Sequence, residues 1–174
     1  MIEDNPVCFF TATILEWKHL LKDDKYKDII LNSMKFLVQD KRAEIFAFVI
    51  MPNHIHMVWR VNNKFEPFEV QRDFLKFTAQ QIKYDLIKNN PELLKQFYVS
   101  AKDRQYQIWE RNPLSIELVT KKLLDQKILY IHGNPIQEKW QLSETAENYK
   151  YSSARFYDTL QDEFGFLKHY WDIT

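Results

Sequence analysis

The 174-residue chain predicts an α+β fold of the ferredoxin-like type, an antiparallel sheet with packed helices and a C-terminal helical and irregular elaboration. Three observations carry that prediction. Hydrophobic patterning runs in the order strand, helix, strand, strand, helix, strand, with one further helix after it. Hydrophobic residues make up 45% of the chain and aromatics 16%, enough to fill a packed core. Only two glycines occur, Gly133 and Gly165, which argues against Gly-rich phosphate loops, Rossmann turns and turn-dense barrels. The length fits one domain spanning residues 1–174.

"VCFFTATIL" (7–15) is rich in β-branched and aromatic residues and reads as the first strand. "KYKDIILNSMKFLVQDKR" (25–42) repeats apolar residues at helical spacing through Ile29, Ile30, Met34, Leu37 and Val38. "EIFAFVIM" (44–51) is apolar at nearly every position, as a strand covered on both faces should be. Met51-Pro52-Asn53 then marks a turn into "HIHMVWRV" (54–61), so the two strands form an antiparallel hairpin. Phe68 to Lys88 has helical period and is the longest helix, closed by Asn89-Asn90-Pro91. "YQIWE" (106–110) and "LSIELV" (114–119) are short and β-prone. Thr120 caps a helix "KKLLDQKILYIH" (121–132) that Gly133 and Pro135 stop. The aromatic segments from Asn148 onward wrap the core.

Lys and Arg number 24 and Asp and Glu number 24, so any charged partner must be met by a local patch rather than a bulk field. One cysteine, Cys8, leaves no disulfide framework and no Cys-based zinc site. With no signal-peptide pattern and no apolar run of ~18 residues, the expected location is the cytoplasm, with no membrane partner.

Strand alternation sets His54, His56, Val58 and Arg60 on one face and Ile55, Met57, Trp59 and Val61 on the other. The second set is a core face. The first brings two imidazoles side by side, close enough to hold one cation and short of a third ligand. The alternative is a turn histidine beside a satisfied, partly buried one. His19, His132 and His169 are scattered without metal-ligand spacing, and a histidine-triad hydrolase would need a histidine where Val58 stands.

Tyr130 and Asn134 are four residues apart at the end of the 121–132 helix, one face of a helical turn. Tyr130 lies about 100° from the centre of the Leu123, Leu124, Ile128, Ile131 stripe, at its edge. Alone it reads equally as a packing tyrosine. Arg72, Lys76 and Lys83 form a basic stripe on the longest helix, with a solvated helix face as the plain alternative.

"FAFVIMPNHIHMVW", "YIHGNP" and "YKYSSAR" together resemble the bacterial single-tyrosine transposases of the HUH class, in particular the REP-associated branch, from the first strand to about Tyr157. The resemblance implies a nucleoid-associated DNA-processing enzyme. It makes His54 and His56 ligands of Mg²⁺ or Mn²⁺, Asn134 the third ligand and Tyr130 the nucleophile toward single-stranded or hairpin DNA. It implies cleavage and strand transfer through a 5′-phosphotyrosine. A phenol ionises only near pH ~10, so the site must favour its attack, and a cation would do so as a Lewis acid at the scissile phosphate. Arg60, Arg72, Lys76, Lys83, Trp109 and Arg111 are candidate DNA contacts. Relatives work as monomers or as homodimers that swap the tyrosine helix, so a homodimer is one expected assembly. Two other functions compete: a resident hairpin-binding protein without mobility, and a small metal-dependent phosphoesterase.

Overall fold

A computed structural model describes residues 4–173. Four strands form one sheet: β1 (Cys8–Thr13), β2 (Ala43–Ile50), β3 (His54–Val61) and β4 (Leu114–Glu117). Their order is β2-β3-β1-β4, every pairing is antiparallel, and helices α1 (Asp24–Gln39) and α2 (Pro67–Asn89) link β1 to β2 and β3 toward β4. This is the ferredoxin-like arrangement the sequence predicts. A short helix α3 (Pro91–Lys95), the helix α4 (Lys121–Gly133) and α5 (Ala154–Thr159) complete it.

α1, α3 and α4 begin where a side chain accepts an orphan backbone N–H. Asp23 caps α1 through Lys25 N, and Thr120 caps α4 through Leu123 N. The ends of the predicted elements move by a residue or two, the usual fraying of boundaries.

The sheet is covered on both faces, and this explains why β2 and β3 are apolar throughout. On one face Phe10, Phe48, Ile55, Met57 and Trp59 pack against Ile30 and Met34 of α1 and Phe74, Ile82 and Leu86 of α2. On the other, Phe9, Phe46, Val49 and Val58 pack against Leu124, Ile128 and Ile131 of α4. The pairing of β2 with β3 slips between Ile45 and Ala47. This bulge gives Phe46 and Ala47 to the same α4 face, breaking strict alternation.

Two segments differ from expectation. "YQIWE" is not a regular strand: it extends β1 only through the Ile14–Trp109 bridge and the bonds Leu15 N→Ile108 O and Glu110 N→Thr13 O, at 2.8 and 2.7 Å. "YSSAR" lies along the open edge of β2 rather than under the sheet, with Ile50 N→Tyr151 O at 2.9 Å and Ser153 N→Phe48 O at 3.0 Å. An uncovered edge strand is a template for aggregation, and this segment closes it.

Trp109, a candidate base-stacking residue, is corrected by the fold: it is 6% exposed, and its indole N–H donates to Thr78 Oγ1 at 3.1 Å. Thr78→Val removes that acceptor and strands a buried donor, so it should cost about 1–3 kcal/mol in urea unfolding followed by tryptophan fluorescence.

Candidate functional site

The site forms where β3 meets α4. β3 begins directly after the Pro52-Asn53 turn, and its first residues His54 and His56 point to the α4 face. The imidazole centres are 4.7 Å apart, and the residues are 6% and 5% exposed. Burying imidazoles is costly unless their nitrogens are paired. His54 Nδ1 lies 2.6 Å from Asn53 Oδ1, and Asn53 Nδ2 donates to Trp17 O at 3.2 Å. That second bond fixes the Asn53 carboxamide with its oxygen toward the ring. His54 Nδ1 must therefore carry the proton, and Nε2 is left with its lone pair.

Register does the same for His56. β1 pairs Thr11 opposite His56, and Thr11 Oγ1 sits 2.7 Å from His56 Nδ1. His56 Nε2 is buried without a hydrogen-bond partner. A buried ring nitrogen left without a partner costs stability and calls for an explanation beyond packing.

α4 supplies the remaining groups. Tyr130 stands 5.3 Å from the His56 ring and 6.0 Å from the Phe9 ring, both edge-on. It is 45% exposed, so its phenol is open to solvent while both imidazoles lie behind it. Asn134, 2% exposed, keeps helical dihedrals of φ −56° and ψ −48°, so it continues the Tyr130 face despite the Gly133 and Pro135 beside it. Its Nδ2 donates weakly to Tyr130 O at 3.4 Å, and its side chain lies close enough to His54 to favour that ring's charged form. Two imidazoles and one carboxamide side chain thus lie together within one chain, beside a tyrosine. No group of three His, Cys, Asp or Glu suited to a metal occurs among the described residues.

The end of α4 is also anchored. His132 Nε2 pairs with Ser153 Oγ at 2.8 Å, and Ser153 Oγ accepts from Phe48 N at 2.9 Å. This chain of bonds ties α4 to β2 through the edge-covering segment and gives "YIHGNP" and "YSSAR" a shared structural role.

The predicted basic residues do not gather here. α2 lies across the sheet, and there Arg72 is engaged by Asp73 at 2.9 Å and Lys83 rests over Tyr84; Lys76 belongs to the same helix. Arg60 shares the histidine face but lies four residues, about 13 Å, beyond His56 along the strand. It pairs with Glu44 at 2.7 Å. Arg111 sits exposed near Asp103 at 4.0 Å. Sequence reading missed the supports Asn53 and Thr11, and also Lys127 and Trp140, which flank the site. The Asn53 signal lay in the Pro-Asn-His order itself; Thr11 needed the strand register. A cavity of about 560 Å³ between α1 and α2, lined by Ile29, Phe36, Phe74 and Phe77 among others, lies across the sheet and contains neither histidine nor tyrosine.

Burial lowers the pKa of His54 to about 4, helped by the charge of Lys139 and opposed by the bond to Asn134. Burial lowers His56 to about 3, with contributions from His54 and Lys127, and burial alone lowers His132 to about 4. All three are neutral at pH 7, the form that ligates metal.

The family model for IS200-like transposases matches residues 13–111, more than half of the chain, and the chain belongs to that family. It is therefore a DNA-processing transposase by family. The matched span holds His54 and His56, while Tyr130 and Asn134 lie beyond it. A solved structure of the REP-associated tyrosine transposase bound to a REP hairpin has a similar fold, with a TM-score of 0.64 at 16% identity over 93% of this chain and 85% of that one. Comparison with curated proteins finds no match. No helix among the described residues is long and apolar enough to cross a membrane.

The histidines give a pH prediction for the metal-free protein. Above pH ~6.5 they are neutral both folded and unfolded and contribute nothing. Below it the unfolded chain binds protons that the folded imidazoles refuse until pH nears 4, so stability falls as pH falls. At pH 5 each should cost about 2 kcal/mol. Urea midpoints in EDTA should drop markedly from pH 7 to pH 5; an unchanged midpoint would mean the rings are solvated.

Proposed function

We propose that the chain is a metal-dependent nicking and joining enzyme for single-stranded DNA that acts at hairpins through a covalent 5′-phosphotyrosine on Tyr130. The observation that carries this is the meeting of Tyr130, His56, His54 and Asn134 at one end of α4 in a single chain. The hairpin held by the protein of similar fold supports a hairpin substrate.

His54 Nε2, His56 Nε2 and the Asn134 carboxamide oxygen would hold Mg²⁺ or Mn²⁺. When bound, the cation supplies Lewis acidity and orientation at the scissile phosphate. The orphaned His56 Nε2 fits this role. Tyr130 Oη attacks phosphorus in line, the bond to the 3′ oxygen breaks, and the 5′ side stays on the tyrosine. The phenolic proton leaves to solvent and the departing 3′ oxygen takes one up. No water is consumed and one phosphodiester replaces another, so a 3′-hydroxyl, the same or another strand's, can reverse the step. Strand transfer then needs no nucleotide cofactor. Asn53 holds the His54 ring with its proton on Nδ1, Thr11 orients the His56 ring, and the sheet excludes water behind them.

The test uses a pool of single-stranded oligonucleotides carrying hairpins with randomised stems and flanks, plus Mn²⁺. Wild-type protein should form a covalent adduct resistant to denaturant; Tyr130→Phe should form none while binding the selected hairpin within a few-fold of wild type. EDTA should abolish the adduct and Mn²⁺ restore it. Hairpin binding with no adduct from the wild type would instead identify a binding protein on this fold, and turnover without adduct a phosphoesterase.

Asn53→Ala frees the His54 ring and should weaken Mn²⁺ binding roughly 10–100-fold by isothermal titration, with little change in melting temperature measured in EDTA.

A further inference from the structure

Two cations flank the site without a carboxylate partner among the described residues, Lys139 on the His54 side and Lys127 beside Tyr130. Lys127 precedes Tyr130 by three residues on α4, and its ammonium lies 4.5 Å from the Phe9 ring centre and 5.6 Å from that of Tyr130. Several other cations are matched: Lys121 pairs with Asp125 on the same helix, Lys168 and Arg60 share Glu44, and Lys25 meets Asp85. Lys127 forms no ion pair among the described residues, and only aromatic faces hold it in place.

Its position on the helix is specific. At 100° per residue Lys127, Tyr130 and Asn134 fall within about 60° of one another, and they span about 10 Å along the axis. One helix face therefore carries a cation, the nucleophile and an amide ligand in sequence, with Tyr130 in the middle and His56 beneath it. A phosphodiester set for attack by Tyr130 exposes two non-bridging oxygens. Along α4, Asn134 lies one turn after Tyr130 and Lys127 about one turn before it, with the Lys127 ammonium over the Phe9 ring that stacks on His56.

We propose that Lys127 contacts a non-bridging oxygen of the scissile phosphate and neutralises the charge that builds there as Tyr130 attacks. The inference rests on the reading of Tyr130 as nucleophile. Lys127 is a compact fixed charge in this role and stays protonated throughout; the bond to Tyr130 forms and that to the 3′ oxygen breaks as before. Phosphoryl transfer gains most from preorganised charge of this kind, because the protein has little covalent work to do. The alternative is a lysine whose stem merely covers Phe9.

Lys127→Met keeps the stem and removes the charge. With the hairpin oligonucleotide selected by wild-type adduct formation, single-turnover cleavage should slow roughly 100-fold while hairpin Kd stays within about threefold. Lys127→Arg should recover most of the rate. Mn²⁺ binding to DNA-free protein should be unchanged or tighter in Lys127→Met, since a positive charge near His56 has gone; a merely structural role would weaken it. Cleavage at the wild-type rate in Lys127→Met overturns the proposal and leaves the nucleophile assignment standing. So does a slower rate that follows lost Mn²⁺ affinity, or lost hairpin affinity at an unchanged single-turnover rate. A wild-type protein that forms no adduct overturns both readings together.

Discussion

The site depends on one packing constraint: α4 must lie across the sheet face that carries the histidines. Leu124, Ile128 and Ile131 bury themselves against Phe9, Val49 and Val58. This apolar contact fixes the rotation of the helix. With Ile131 directed into the sheet, Tyr130 comes to the border of the buried stripe, where its ring can meet His56 and its hydroxyl can meet solvent. Asn134, one turn later, is carried inward to His54. The hydrophobic term that stabilises the helix also aims its polar residues, so folding and site assembly are one event.

The polar residues under the helix show a different economy. Two imidazoles are buried in an otherwise apolar layer, His54 held through Asn53 and His56 through Thr11, and His56 Nε2 is left without a partner. A core optimised for stability alone would replace them with aliphatic residues. A local departure from good packing practice, with supports on one nitrogen of each ring and an orphan at His56 Nε2, marks this as the candidate site. The same logic extends to the Glu16-Trp17 turn, where both residues take positive φ, 54° and 58°, and so deliver the Trp17 carbonyl to Asn53.

Charge is distributed locally rather than globally. The chain is neutral overall, and many of its cations are paired with carboxylates. Lys127 and Lys139 instead flank the histidines, each close enough to disfavour a charged imidazole. A neutral protein with two lysines beside a buried donor set relies on short-range contact more than long-range steering toward a polyanion.

Much of this was legible in the sequence because it depends on periodicity. Alternation alone placed His54 and His56 together on one face, and helical spacing placed Tyr130 at the border of the α4 stripe with Asn134 beside it. The order of strands and helices determined the sheet type. Tertiary structure decided which elements those faces meet, since the pairing of residues distant in the chain follows from register and helix docking, which no local pattern encodes. It set Thr11 opposite His56, put α2 and its basic stripe across the sheet from the histidines, and drew Trp109 inside to bond Thr78. It also brought "YSSAR" to the edge of β2, where Ser153 could join His132. The residue types were set by local chemistry, and their neighbours by how two apolar faces of one sheet were covered.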